Sequence, residues 1–136
     1  MRAAELGLAL ALGCFAGSAR AGESWAPFAD ADVVHIVTQD DDGAERDSKV
    51  WLVVVEGAAF VRTNDSRWLA NIRRGSPVAL TFASTTRAVV AEEEMEASVR
   101  ERVEAAYRAK YGLLQRVMSA LRLREPSVLR LTRKAP

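Results

Sequence analysis

Arginine and hydroxyl side chains are concentrated between residues 60 and 82, in a stretch that joins two apolar segments. Arg62 and Thr63 end the first segment, and Ser66 and Arg67 follow within a polar turn. Guanidinium groups pair bidentately with phosphate, and hydroxyls supply further hydrogen-bond donors. Backbone amides at the start of a helix after this turn would add to the same positive field. The spacing therefore predicts a site for an anionic group where a strand runs into a helix.

Not every arginine of this stretch has to contact a ligand. Arg67, Arg73 and Arg74 fall on the side of the expected helix that faces away from its apolar residues, so a solvated helix face is the alternative. For Arg62 and Thr63, on the strand that leads into the turn, ligand contact and a structural role both remain open.

A second pair of candidate residues lies on the preceding apolar strand. Lys49 and Trp51 alternate there, so they are close to the same turn if the two strands form a hairpin. Trp51 is either a core residue or one wall of a pocket for a flat ring, because stacked aromatic contacts suit planar ligands.

The other reactive residue types give no pattern of known chemistry. His35 is the only histidine and Cys14 the only cysteine, so no metal site and no disulfide is predicted. The three aspartates at 40–42 lack the spacing of a calcium loop, and Ser48 has no histidine in a neighbouring motif. With a formal net charge of +1, the chain has no strong basic field to attract nucleic acid.

The first 21 residues are predicted to be a signal peptide. The apolar run Leu6–Phe15 is followed by Ala19, Arg20 and Ala21, the small-x-small pattern of a signal-peptidase site. The run is shorter than the roughly 20 apolar residues of a membrane span. We therefore expect an exported protein, periplasmic or secreted. The alternatives are a lipid anchor on Cys14, an uncleaved buried helix, or a start codon placed too early.

Residues 22–32 are interpreted as a lead-in segment, and residues 33–136 as one folded domain. Hydrophobic periodicity and turn residues predict six strands in that domain. They cover Val33–Gln39, Val50–Val55, Ala58–Thr63, Val78–Phe82, Arg87–Ala91 and Val128–Thr132. A short helix is expected between the third and fourth strands, with Asp65 or Ser66 as its cap and Gly75 at its end.

One long helix is predicted before the last strand. It opens at Glu92–Glu94 and is bent or broken at Gly112. An apolar stripe recurs along it at three- and four-residue steps: Val99, Val103, Tyr107, Tyr111, Leu114, Met118 and Leu121. Short links between strands and one amphipathic helix predict a small antiparallel barrel, mainly β with α, with the long helix packed outside it.

The order of motifs resembles the flavin-binding split barrels related to pyridoxamine phosphate oxidase. The resemblance rests on Trp68, Asn71 and Pro77 in the short-helix region, together with the A-Y-R-A-K-Y segment at 106–111. It covers roughly residues 33–133 and is closest to a family of small uncharacterised bacterial proteins. The sequence is also similar to deazaflavin-dependent nitroreductases, which carry a Trp-x-x-Asn-Leu helix before a Pro-Val strand.

The resemblance implies a cofactor, FMN or a deazaflavin, held around the third strand and the turn after it. The residues that it assigns to the cofactor are Lys49, Trp51, Arg62, Thr63, Asn64, Ser66, Arg67 and Trp68. The sequence departs from the related proteins where Arg67 and Trp68 replace a lysine of the oxidases, and where Asn64 and Asp65 replace a glycine pair of the nitroreductases.

Two functions follow as expectations. The first is a flavin- or deazaflavin-binding oxidoreductase acting on a small organic substrate, in which the cofactor carries the hydride chemistry. The second is a non-catalytic barrel that binds a small ligand such as haem, or a protein partner. The resemblance also implies a homodimer with the cofactor at its interface.

Overall fold

The computed structural model describes residues 24–120 and 126–135, and between residues 113 and 120 it describes the backbone only. Within these residues the chain forms one 3-10 turn at Phe28–Asp30, seven strands and two helices. The strands are β1 (Val34–Gln39), β2 (Glu45–Val50), β3 (Leu52–Val55), β4 (Ala58–Thr63), β5 (Val78–Phe82), β6 (Thr85–Glu93) and β7 (Ser127–Arg133). The helices are α1 (Arg67–Arg73) and α2 (Ala97–Ala120). The predicted signal peptide and Cys14 lie outside the described residues.

The sheet curls until its two edges meet at Trp51. Its strand order is β2-β1-β5-β6-β7-β4-β3, and neighbouring strands are antiparallel. β2 and β3 are therefore the two edges, yet they are separated in the chain by Trp51 alone. Val50 and Leu52 cannot be more than about 7 Å apart, so the edges are brought together there. This is the split barrel that the sequence predicted, and we call the meeting point the corner.

Alternation along the strands separates two cores. On β4, Ala59 and Val61 face the barrel interior, while Phe60 belongs to a second core beneath α2. The interior core also takes Trp25 and Phe28 from the segment before β1, and both are buried. The segment interpreted as a lead-in therefore packs as part of the barrel.

Helix α1 begins and ends where the sequence predicted. The Ser66 hydroxyl accepts a hydrogen bond from the Leu69 amide at 3.2 Å, and Gly75, with φ +94°, follows the last turn. Trp68 and Leu69 are buried in the barrel core, which fixes α1 across one end of the barrel.

Helix α2 covers the outer face of β3, β4 and β7. The buried part of its stripe is Val99, Val103 and Tyr107, which pack against Val53, Phe60 and Val128. The backbone is non-helical at Gly112, with φ 57° and ψ −129°, so the predicted break is confirmed. The side chains of Leu114 and Met118, and all of Leu121, lie outside the described part. No helix within that part is long and apolar enough to cross a bilayer.

Two sequence predictions were wrong in detail. Glu45–Val50 is a separate strand, β2, which was missed because its sequence ERDSKV is polar. As an edge strand it keeps one face in water, so it needs few apolar residues.

The start of α2 was also misplaced. Glu92 and Glu93 belong to β6, where they pair with Arg130 and Leu129 of β7, and the helix begins at Ala97. The Arg73 guanidinium holds the Glu93 carboxylate at 2.8 and 2.9 Å. The sheet ladder and this ion pair outweigh the preference of carboxylates for a helix N-terminus.

Candidate ligand-binding site

The corner contains a cavity of about 240 Å³, which we call the corner cavity. Five of the eight residues assigned to the cofactor from sequence line it. The full lining is Val33, Lys49, Val50, Trp51, Arg62, Thr63, Trp68 and Tyr107. The fold thus brings the end of β2, the end of β4 and the first turn of α1 around one cavity.

Arg62 lies in the wall of the corner cavity as a buried charge. Its side chain is only 4% exposed, and its guanidinium forms an ion pair with the Glu104 carboxylate on α2. The guanidinium carbon also lies 3.9 Å from the centre of the Tyr107 ring. A buried guanidinium needs such partners, because an unpaired charge in a protein interior is strongly unfavourable. Arg62 therefore has a structural role, and its contact with a ligand stays a prediction.

Trp51 forms an aromatic wall of the corner cavity and is itself held by stacking. Its ring lies parallel to that of Tyr111, with 4.1 Å between centroids and 7° between planes. The Tyr107 hydroxyl donates to the Trp51 carbonyl at 2.6 Å, which fixes the backbone of the corner. The indole is thus pre-positioned, so the binding of a flat ligand would cost little side-chain entropy at Trp51.

Helix α2 reaches the corner through two further side chains. Lys110 donates to the carbonyls of Leu52 at 2.7 Å and Ala29 at 3.0 Å. The Tyr111 hydroxyl donates to the Asp32 carbonyl at 2.8 Å. Burial lowers the pKa of Lys110 and raises the pKa of Tyr111 to about 12. Both groups stabilise the corner rather than face a ligand.

Lys49 and Thr63 are the more accessible polar groups of the lining. Lys49 is exposed and Thr63 is half-buried. Lys49 lies directly opposite His35 in the β1–β2 ladder, and the His35 Nδ1 is 2.5 Å from the Asp47 carboxylate. An anionic ligand can approach Lys49 from solvent, and the ion pair between Arg62 and Glu104 would stay intact.

The other three predicted residues lie elsewhere. Asn64 is exposed in the turn, whereas Ser66 and Arg67 line a separate cleft of about 560 Å³, which we call the turn cleft. Its other lining residues are Asp40, Asp41, Asp42, Asp65, Ala70, Asn71 and Arg74. Four aspartates oppose its two arginines, so this cleft is not a basic anion site.

Asn71 explains the Trp-x-x-Asn motif. Its side chain is buried and donates to the Thr38 hydroxyl and the Asp40 carboxylate, each at 2.9 Å. Its oxygen accepts from Arg74 at 2.6 Å. Hydrogen bonds from Arg46 and then from Asn71 lower the pKa of Asp40. While Trp68 fills the core, Asn71 fastens α1 to the β1–β2 turn.

Four residues at the corner were not among the site residues assigned from sequence: Val33, Val50, Glu104 and Tyr107. Tyr107 was assigned to the packing stripe of α2, which is correct, but the same ring also closes the cavity. Glu104 precedes Tyr107 by one helical turn, and this spacing is the signal that could have placed it beside the same strand.

Comparison with known proteins identifies the family and the fold. A family described as uncharacterised proteins conserved in bacteria, DUF2255, matches residues 25–130. The sequence has no significant match among curated proteins.

Three solved structures show the architecture. HutZ, the haem storage protein of Vibrio cholerae, is 19% identical with a TM-score of 0.61, over 77% of this chain and 83% of that one. A Clostridium acetobutylicum protein of the pyridoxine-phosphate oxidase family, related to general stress protein 26, is 13% identical with a TM-score of 0.55, over 89% and 84%. An FAD-binding protein of Mesorhizobium loti is 9% identical with a TM-score of 0.53, over 77% and 83%. The fold is therefore that of the split barrels related to pyridoxamine phosphate oxidase.

Proposed function

This chain belongs to DUF2255, a family of uncharacterised bacterial proteins, and we propose that it binds FMN or a deazaflavin at the corner cavity. The observation that carries the proposal is the composition of that cavity. It combines the rings of Trp51, Trp68 and Tyr107 with the cations Lys49 and Arg62. Flat rings stack on aromatic side chains, and phosphate or carboxylate tails bind cations, so the lining suits a planar anionic ligand.

The names of the solved neighbours support a ligand of this class. One is named as an FAD-binding protein and another as a member of an oxidase family. A bound flavin would supply hydride chemistry, and the chain's residues would orient its ring and hold its charged end. Oxidoreductase activity on a small organic substrate is part of the proposal.

Haem is the second candidate, because another neighbour is a haem storage protein. Haem iron is usually held by histidine, cysteine, methionine or tyrosine side chains. The described lining of the corner cavity contains no histidine, cysteine or methionine, and its Tyr107 hydroxyl donates to the Trp51 carbonyl. The lining therefore favours a flavin over iron-ligated haem.

The size of the cavity bears on how the ligand would be covered. Sites that enclose drug-sized ligands measure roughly 300–1,000 Å³, and the corner cavity is about 240 Å³. It would take one end of a flavin, and the rest needs another surface. A second copy of the chain beside the corner would supply it, so a homodimer belongs to this proposal.

Export is proposed from the N-terminal pattern alone. A chain threaded unfolded across the membrane would acquire its cofactor afterwards. A site open to solvent at Lys49 is compatible with that order of events.

A titration of the purified protein with FMN, riboflavin, a deazaflavin and haemin at one salt concentration tests the proposal. Lys49→Gln is expected to weaken FMN binding about twofold to fivefold, since an ion pair with an exposed cation contributes roughly 0.5–1 kcal/mol. Arg73→Gln removes an exposed cation that is paired with Glu93, and serves as the control. Arg62→Ala is a poorer probe, because it also removes the ion pair with Glu104.

Failure of the wild type to bind either FMN or the deazaflavin at high micromolar concentration would refute the flavin proposal. Equal losses in Lys49→Gln and Arg73→Gln would show general electrostatics and a misplaced site. Tight haemin binding without flavin binding would transfer the function to the second candidate.

A further inference from the structure

We propose that Glu104 is the resident counter-ion of Arg62 and that its charge limits how strongly the corner cavity attracts anionic ligands. The inference rests on the proposed function, because it concerns the same cavity. It assigns to α2, a helix outside the barrel, a residue that sets the ligand preference of a site inside the corner.

The first support is the unequal burial of the pair. The Arg62 side chain is 4% exposed, whereas that of Glu104 is 33% exposed. A guanidinium this deeply buried is stable only with a nearby anion. Glu104, on α2, is that anion. The Arg62 cation is therefore present at the corner cavity whether or not a ligand is bound.

The second support is the placement of the two groups around the cavity. Arg62 lines the corner cavity, and Glu104 is not among its lining residues. The Tyr107 ring covers one face of the guanidinium at 3.9 Å from its carbon. The carboxylate and a ligand anion would thus approach the same planar group from different sides. A guanidinium has five N–H donors, so it can serve two anions at once.

Two anions on one cation repel each other, and this repulsion sets the size of the effect. Across a guanidinium they would be about 7 Å apart, which at an effective dielectric constant of about 20 corresponds to about fiftyfold in Kd. Because Glu104 is partly exposed, solvent and salt screen its charge. We therefore expect about a tenfold gain in anion affinity when the charge of Glu104 is removed.

The experiment compares Glu104→Gln with Glu101→Gln. Gln keeps the shape and an acceptor oxygen for Arg62 but removes the charge. Glu101 is an exposed residue one turn earlier on α2, so its substitution changes the net charge equally. Binding of inorganic phosphate is followed by tryptophan fluorescence at constant ionic strength, because Trp51 and Trp68 both line the cavity.

Glu104→Gln is expected to bind phosphate about tenfold more tightly than the wild type, and Glu101→Gln to match the wild type. Adding Arg62→Met to Glu104→Gln should abolish the gain. Equal phosphate affinity in wild type and Glu104→Gln, an equal gain in Glu101→Gln, or no binding by any of them would overturn the inference. Should Glu104→Gln fail to fold, Glu104→Asp withdraws the carboxylate by one methylene, and it must bind phosphate more tightly than the wild type by less than about tenfold; an affinity equal to that of the wild type would overturn the inference.

FMN and riboflavin titrations of the same variants separate this inference from the proposed function. Riboflavin lacks the phosphate, so its affinity should not respond to Glu104. A phosphate gain without any flavin binding would leave the counter-ion role standing and refute the flavin proposal. Flavin binding without a gain in phosphate affinity would support the flavin proposal and refute the counter-ion role of Glu104.

Discussion

Replacement of Asn71 by alanine should destabilise the domain by about 2–4 kcal/mol. Asn71 is 3% exposed, and its side chain makes three hydrogen bonds, to Thr38, Asp40 and Arg74. A neutral bond contributes about 0.5–1.5 kcal/mol and a bond to a charged group more, while the partners at the surface recover some of this from water. Alanine also leaves the buried Thr38 hydroxyl without this donor.

The assay is urea unfolding at neutral pH, followed by tryptophan fluorescence. Asn64→Ala is the matched control, because Asn64 is exposed and its loss should change stability by no more than about 0.5 kcal/mol. Flavin binding by Asn71→Ala, measured well below its unfolding midpoint, should be unchanged, since Asn71 does not line the corner cavity.

A one-atom exchange sharpens the test. Asn71→Asp replaces the amide donor that faces Asp40 by a second carboxylate, so we expect a loss of stability at neutral pH. Asp40→Asn in the same chain restores a donor and an acceptor at 2.9 Å and should recover part of that loss. If Asn71→Ala loses less than about 1 kcal/mol, or if the exchange recovers nothing, Asn71 does not fasten α1 to the β1–β2 turn.

Four further outcomes are expected. Val103→Asp should destabilise the domain by about 3–5 kcal/mol in thermal unfolding, because Val103 is 1% exposed on the face of α2 that packs on the sheet; an unchanged melting temperature would mean that α2 detaches. Ala83 has φ +54° in the two-residue β5–β6 turn, so Ala83→Gly should stabilise by about 0.5–1 kcal/mol, whereas Ala109→Gly on an exposed helical position should destabilise by about 1 kcal/mol. An ultraviolet pH titration should show Tyr111 ionising near pH 12 rather than 10.0; its raised pKa stabilises the fold fully below pH 10.0, and this contribution is lost as the pH rises to about 12. Mass spectrometry of the exported protein should find Gly22 as the first residue, and an intact Met1 or a lipidated Cys14 would contradict signal-peptide cleavage.

Elements whose signals are local could be predicted from the order of the amino acids. Ser66 caps α1, Gly75 follows its last turn, and Gly112 breaks α2, each at the predicted place. Such signals are legible because a cap, a positive φ or a 3.6-residue stripe depends on residues within one or two turns. Five of the residues assigned to the cofactor also line the corner cavity. They lie on a hairpin and the turn after it, which keep residues that are near in sequence close in space.

The partners that each side chain contacts depend on how distant parts of the chain fold together. The polar strand β2 exists because β1 pairs with it, and Glu93 is a strand residue because β7 and Arg73 hold it there. For Arg62 the sequence left ligand contact and a structural role open, and Glu104, 42 positions later, gives it a structural partner. In the folded chain Ser66 and Arg67 line the turn cleft, and Tyr107 lines the corner cavity. These contacts join residues far apart in the chain, and their energies depend on burial, which no local pattern encodes.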